Sequence, residues 1–218
     1  MKLNEIELAS SKSNAFELQD LSDVELNPLH KKWIEQTREQ SRGPESWTQR
    51  KCCELGDALA LSQIVPDDGV RILPVSGVEA LQILVHMTVP VPVMPSPGAD
   101  LVIEQQAVLQ VNYPQEVMRQ NLPGMSFVNI GQPRGVWLAN ANPVDGTLCL
   151  GHTLPRNIPL REVLWLTYSA LAVQLSMWDE RDEAGVINVD AARWWQLNQH
   201  RAPLTDKPLF GETKGEEK

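Results

Sequence analysis

Tyrosine, phenylalanine, cysteine and histidine are all scarce here: two, three, three and four of each in 218 residues. Three cysteines without regular spacing cannot supply the paired framework of a disulfide-stapled domain. Neither they nor the four scattered histidines compose a zinc motif. Adjacent Cys52 and Cys53 could bridge each other only with strain, and no metal or cofactor is expected. Basic residues are also in deficit. Nineteen Lys and Arg against 28 Asp and Glu leave a formal charge of −9, which argues against a nucleic-acid partner because phosphate binding needs basic surface. Long apolar runs are missing as well. The longest, Leu164 to Trp178, is broken by Thr167, Ser169, Gln174 and Ser176 and is too short to span a bilayer. The opening Met1-Lys2-Leu3-Asn4-Glu5 lacks the apolar core of a signal peptide. The expected setting is soluble, reducing and cytoplasmic, with no membrane partner.

What is present suits a globular domain: 42% hydrophobic and 22% charged residues, in a chain long enough to bury a sizeable core. Residues 1–45 read as an N-terminal extension with a short helical candidate from Leu29 to Gln40, ended by the breaker Ser41-Arg42-Gly43-Pro44. The domain proper is expected over residues 46–205, and residues 206–218 as a flexible tail. A helix is predicted from Ser46 to Ser62, with Trp47, Leu55, Leu59 and Ala60 for its buried face and a turn at Pro66-Asp67-Asp68-Gly69. Strands follow. Leu81 to Val89 alternates with period two, and the prolines at 90, 92, 95 and 97 predict a loop or sheet edge. Leu109, Val111 and Tyr113 alternate in a second strand that Pro114 stops. Met125–Ile130 reads as a third, and Gly135–Leu138 as a shorter extended piece.

Helices return after residue 150. Pro159 sits where a first helical turn tolerates its missing N–H, and Leu160, Leu164, Tyr168, Leu171, Leu175 and Trp178 line one face. The acidic loop Asp179-Glu180-Arg181-Asp182-Glu183 follows. Asn188 is placed to cap a last helix running to Gln199 and holding the pair Trp194-Trp195. A helix, then antiparallel-type strands, then helices predicts an α+β fold with a four-stranded meander.

One cysteine stands apart. Cys149 lies in Asp145-Gly146-Thr147-Leu148-Cys149-Leu150-Gly151, between two glycines and after a polar turn, whereas Cys52 and Cys53 sit inside a predicted helix. The plain alternative is a small buried hydrophobe, a common fate for cysteine.

The order of elements, with the cysteine between sheet and helices, resembles the ubiquitin-conjugating enzyme family. Tyr113-Pro114 followed by Pro123-Gly124-Met125-Ser126-Phe127 is similar to that family's Tyr-Pro strand end and Pro-rich step. Asn140-Ala141-Asn142-Pro143-Val144-Asp145-Gly146-Thr147-Leu148-Cys149-Leu150 resembles its asparagine-containing run, Asp-Gly turn and active-site segment. Asn188-Val189-Asp190-Ala191-Ala192 is similar to the start of its penultimate helix. The likeness covers roughly residues 48–205 and is closest in style to divergent conjugating enzymes of bacterial ubiquitin-like systems. The family's His-Pro-Asn triplet is absent, and its asparagine would fall near Ala141, between Asn140 and Asn142.

The resemblance implies a UBC-like fold and a transferase without a cofactor. Cys149 would accept a ubiquitin-like modifier protein as a thioester from a ubiquitin-activating-type enzyme and pass it to an amine of a protein target. Asn142 or Asn140 would donate to the oxyanion, the alternative being an Asx turn. Asp179, thirty residues after the cysteine, or its neighbour Asp182 would assist the incoming amine, the alternative being a solvated acidic loop. Gly146 and Gly151 would let a glycine-ended tail lie close to the backbone. The helix at about 46–62, with Arg50 and Lys51, would be the docking face for the activating enzyme. Lys207, Lys214 and Lys218 would be self-modification sites. In related bacterial operons the implied role is antiviral defence. Two rivals stand beside this: a catalytically silent binding or scaffold module of the same fold, and an unrelated cysteine hydrolase using Cys149 and His152.

Overall fold

Period-two burial builds the centre of the molecule. In the computed structural model, which describes residues 21, 24–65, 69–96, 98–175, 178 and 185–209, Leu81, Ile83, Val85, Met87, Val89 and Val91 all turn to one side. They belong to β2 (Leu81–Val93) of a five-stranded antiparallel sheet in sequential order. The other strands are β1 (Val70–Ser76), β3 (Val102–Tyr113), β4 (Val128–Gln132) and β5 (Thr147–Leu148). Four helices accompany them: α1 (Pro28–Gln40), α2 (Glu45–Ile64), α3 (Leu160–Leu171) and α4 (Val189–Leu197). Leu55, Ala58 and Leu59 of α2 and Leu160, Val163 and Leu164 of α3 join the sheet's apolar side in one core, while α1 packs on α2.

The α+β class stands, but the four-stranded meander is corrected to five strands. Gly135–Leu138 contributes only the single bridge Val93↔Val136. β1 has no counterpart among the expected strands, because Pro74 and the outward-facing apolar Leu73 and Val75 spoil its alternation, and β5 is two residues long. Pro90 and Pro92 do not end β2. Its pairing to β1 stops at Met87; Pro90 lies within the register shift to β3 between Thr88 and Val91 and Pro92 just past it, both beyond the β1 pairing, where missing donors are tolerated. The carbonyl of Pro92 still accepts from Trp137 N–H at 2.8 Å.

α3 stops seven residues short of Trp178. Val173 takes φ 58°, and the amides of Gln174 and Leu175 turn back to Ser169 O at 2.8 and 3.2 Å. Residues 202–209 then return over α3. Leu204 N–H donates to Ala172 O, Tyr168 Oη donates to Lys207 O at 2.9 Å, and Leu209 is buried. In α4 the Asn188 side chain accepts from Ala191 N–H at 3.1 Å, the expected cap. Trp195 is buried, stacked on Trp178 and donating to Trp137 O at 2.8 Å, while Trp194 is half-buried.

Two charged residues that read as surface lie inside. Glu54 is buried, and its Oε2 accepts from Leu160 N–H at 2.5 Å. That bond caps α3 in the place of Pro159, which offers no side-chain cap. Its Oε1 pairs with Arg50 at 2.6 Å. Arg50 also donates to Tyr113 Oη at 3.1 Å and Asn157 O at 3.0 Å, and Tyr113 Oη donates to Ile158 O at 2.6 Å. Lys51 is fully buried. Its ammonium lies 5.6 Å from the Trp47 ring centre and donates to the carbonyls of Gly77, Val78 (2.9 Å) and Glu79 (3.4 Å) in the β1–β2 turn. Burial lowers its pKa. Lys51 is thus committed internally, and Arg50, half-buried, is engaged by Glu54, Tyr113 and Asn157.

Removing Glu54 strands Arg50 and uncaps α3. Glu54→Ala should lower the unfolding free energy by about 3 kcal/mol, measured by urea denaturation at neutral pH. Burial also raises the Glu54 carboxyl, against the opposing pull of Leu160 N–H and Arg50. A raised folded pKa means that its contribution is present below the unfolded carboxyl range and is lost as pH rises through the raised value. Glu54→Gln should therefore flatten stability against pH on that limb, leaving the share of Asp57, which burial also raises.

Candidate functional site

The candidate site is assembled by a turn that leaves β4 and returns as β5. Asn142 and Thr147 are joined by N–H to O at 2.8 Å, and Gly146 N–H reaches Asn142 O at 2.9 Å. Asn142 Oδ1 accepts from Val144 N–H at 2.9 Å and Asp145 Oδ1 from Thr147 N–H at 2.8 Å, two stacked Asx turns. The second bond holds the exposed Asp145 carboxyl below its usual range. Gly146 has φ 79°, and a Cβ there would fall 2.3 Å from Ile130 O. The space left by that missing side chain is filled by β4, whose Ile130 N–H donates to Gly146 O at 2.7 Å. The expected role of Gly146 as room for an incoming tail is therefore corrected. Gly151 differs: among the described residues, its chain neighbours aside, no atom stands within 4 Å of where its Cβ would be.

β5 lies between β4 and a bridge from Ala141 to Leu148, and Cys149 is the next residue. Asn140 grips it at both ends. Cys149 N–H donates to Asn140 O at 2.8 Å, and Asn140 Nδ2 donates to Cys149 O at 2.8 Å. The side chain that reaches Cys149 is therefore that of Asn140, whereas the Asn142 carboxamide oxygen is engaged in the turn. The thiol donates to Gly151 O at 3.3 Å, and Cys149 as a whole is 3% exposed. His152 lies exposed on the bend that follows. Asp179 and Asp182 lie outside the described residues, as do Lys214 and Lys218.

Two contributors escape sequence reading. Gly124 presses on the loop after the cysteine: its N–H donates to Gly151 O at 3.1 Å, and a Cβ on it would meet that oxygen at 2.2 Å. Its place after Pro123 was legible, its contact was not. The start of α4 supports the site from the other side, with the amides of Ile187 and Asn188 both donating to Ala139 O at 2.8 Å. Asn188 Nδ2 is buried and has no hydrogen-bond partner among the described residues.

Among the described residues no group of three or more His, Cys, Asp and Glu could hold a metal ion, and no helix is long and apolar enough to cross a membrane. Cys52 is buried and Cys53 exposed, neither in a disulfide. Comparison with protein-family models, curated proteins and solved structures returned no significant match.

Gly146→Ala tests the turn. A left-handed alanine pressed on a strand carbonyl should cost about 2 kcal/mol, read as a lower thermal midpoint.

Proposed function

We propose that this chain is a ubiquitin-conjugating-type transferase with Cys149 as its acyl carrier. The observation that carries the reading is the setting of Cys149. It stands at the exit of the last strand, before the proline-led helix α3, with its backbone gripped at both ends by Asn140. The Cys149 thiolate attacks the thioester carbonyl presented by an activating enzyme. A new C–S bond forms, and the activating enzyme's thiolate departs and takes up a proton. An amine of the protein target then attacks the same carbon, loses its proton to water or a nearby base, and expels the Cys149 thiolate. Exchange between two thioesters is nearly balanced, so no strong base is needed beside the cysteine. The partners are a ubiquitin-like modifier, its activating enzyme and a protein target, in a bacterial, defence-type system. On α2, Glu45, Ser46, Gln49, Cys53 and Gln63 are the exposed positions open to docking.

A second reading rests on the 3% exposure of Cys149: a catalytically silent module of the same architecture that binds the modifier without carrying it.

Incubating the protein with ATP, the modifier and an activating enzyme encoded beside it, then running a non-reducing gel, separates the two. The transferase gives a DTT-sensitive adduct that Cys149→Ala abolishes. If the activating enzyme charges but this protein never does, while Cys149→Ala still binds the modifier, the silent module replaces the transferase. Asn140→Ala leaves Cys149 O without its side-chain donor, a loss of about 1–2 kcal/mol. Initial adduct formation should slow about tenfold, with the same secondary structure by circular dichroism.

A further inference from the structure

We propose that the Leu150–Gly151 backbone is a latch over the Cys149 thiol, held shut by Gly124, and that lifting the latch makes the thiol more available. The closed state has a definite construction. Gly151 O accepts both the Cys149 thiol at 3.3 Å and Gly124 N–H at 3.1 Å. A Cβ on Gly124 would lie 2.2 Å from Gly151 O, 2.7 Å from Gly151 N and 2.9 Å from Leu150 N. Backbone rests on backbone, an approach only glycine permits.

The Cβ position of Gly151 is open: among the described residues, its chain neighbours aside, nothing lies within 4 Å of it, and an L side chain rarely adopts its φ of 128°. Both ends of the segment are fixed. Asn140 holds Cys149 at 2.8 Å twice, and Leu154 exchanges N–H to O bonds with Leu122 at 2.8 and 3.1 Å. Residues 150–153 therefore form a short span between two anchors. Lifting it toward solvent breaks the Gly124 bond and the thiol bond and draws the half-buried Leu150 away from the core it packs against. The inference rests on the acyl-carrier reading for its purpose, since it regulates access to that thiol. Its test needs thiol chemistry and amide exchange alone.

The full chain is labelled with iodoacetamide under native conditions and each cysteine followed by peptide mass spectrometry, exposed Cys53 serving as internal standard. Gly151→Ala adds no contact but disfavours the latched backbone. It should speed Cys149 labelling about tenfold, leave Cys53 unchanged, and show a rate insensitive to dilute urea. In the unsubstituted protein, amide exchange supplies a second measurement that no folding defect can spoil. The latch bond protects Gly124 N–H and the anchor bond protects Leu122 N–H, so Gly124 should exchange at least about tenfold faster. Equal protection of the two amides overturns the latch. So does unchanged Cys149 labelling in Gly151→Ala, or labelling that rises with urea in step with global unfolding. If the latch passes and no thioester adduct ever forms, the latch stands and the acyl-carrier reading falls.

Discussion

A buried carboxylate fixes where the second half of the molecule begins. Pro159 starts α3 without a side chain that can accept from its first amides, and an uncapped helix end inside a protein is costly. Glu54 reaches across from α2 to take the Leu160 amide, and its negative charge sits where the helix dipole favours it. Arg50, Tyr113 and the carbonyls of Asn157 and Ile158 complete the arrangement. One side chain thereby ties α2, the end of β3 and the start of α3 together, and the loop bearing Cys149 must run from β5 to that point. The position of the cysteine is set from both directions.

Inside those limits the site is made almost wholly of main chain. Gly146 yields its side-chain space to β4, Asn140 uses both backbone and side chain on Cys149, and Gly124 meets Gly151 as peptide on peptide. Such a site holds its geometry without many polar side chains. Among the described residues it offers orientation more than acid–base strength, which is what the proposed exchange between acyl groups of similar energy would need.

Much of this was legible in the sequence where periodicity was strong. Leu81–Val89 and Leu109–Tyr113 alternate cleanly, the buried face of α2 follows its apolar spacing, and Asn188 caps α4 as Asn residues do. The Asp145-Gly146 turn was readable from turn chemistry. The remainder depended on tertiary contacts that leave no local trace. Glu54 and Lys51 carry charges that read as solvated, yet each is buried against partners far away in the chain. A β-branched residue such as Val173 is a poor candidate for a left-handed helix end, so the early stop of α3 was unreadable. β5 became a strand only because β4 and Ala141 stand on either side of it. Asn140 and Asn142 looked equivalent from sequence, and only the fold separates one that grips the cysteine from one that stiffens a turn.

The edge of the sheet carries a further meaning. Among the described residues β1 pairs with β2 alone, and its outward residues Leu73 and Val75 are exposed and apolar. A strand like this is a template on which a second copy could stack and seed aggregates. Pro74 lies between those two residues, within the strand itself, and it has no N–H to offer a newcomer. The register shift that follows it, between Pro74 and Ser76, further spoils the edge. The same proline that hides β1 from pattern reading also removes a donor from the edge that β1 could offer a pairing strand.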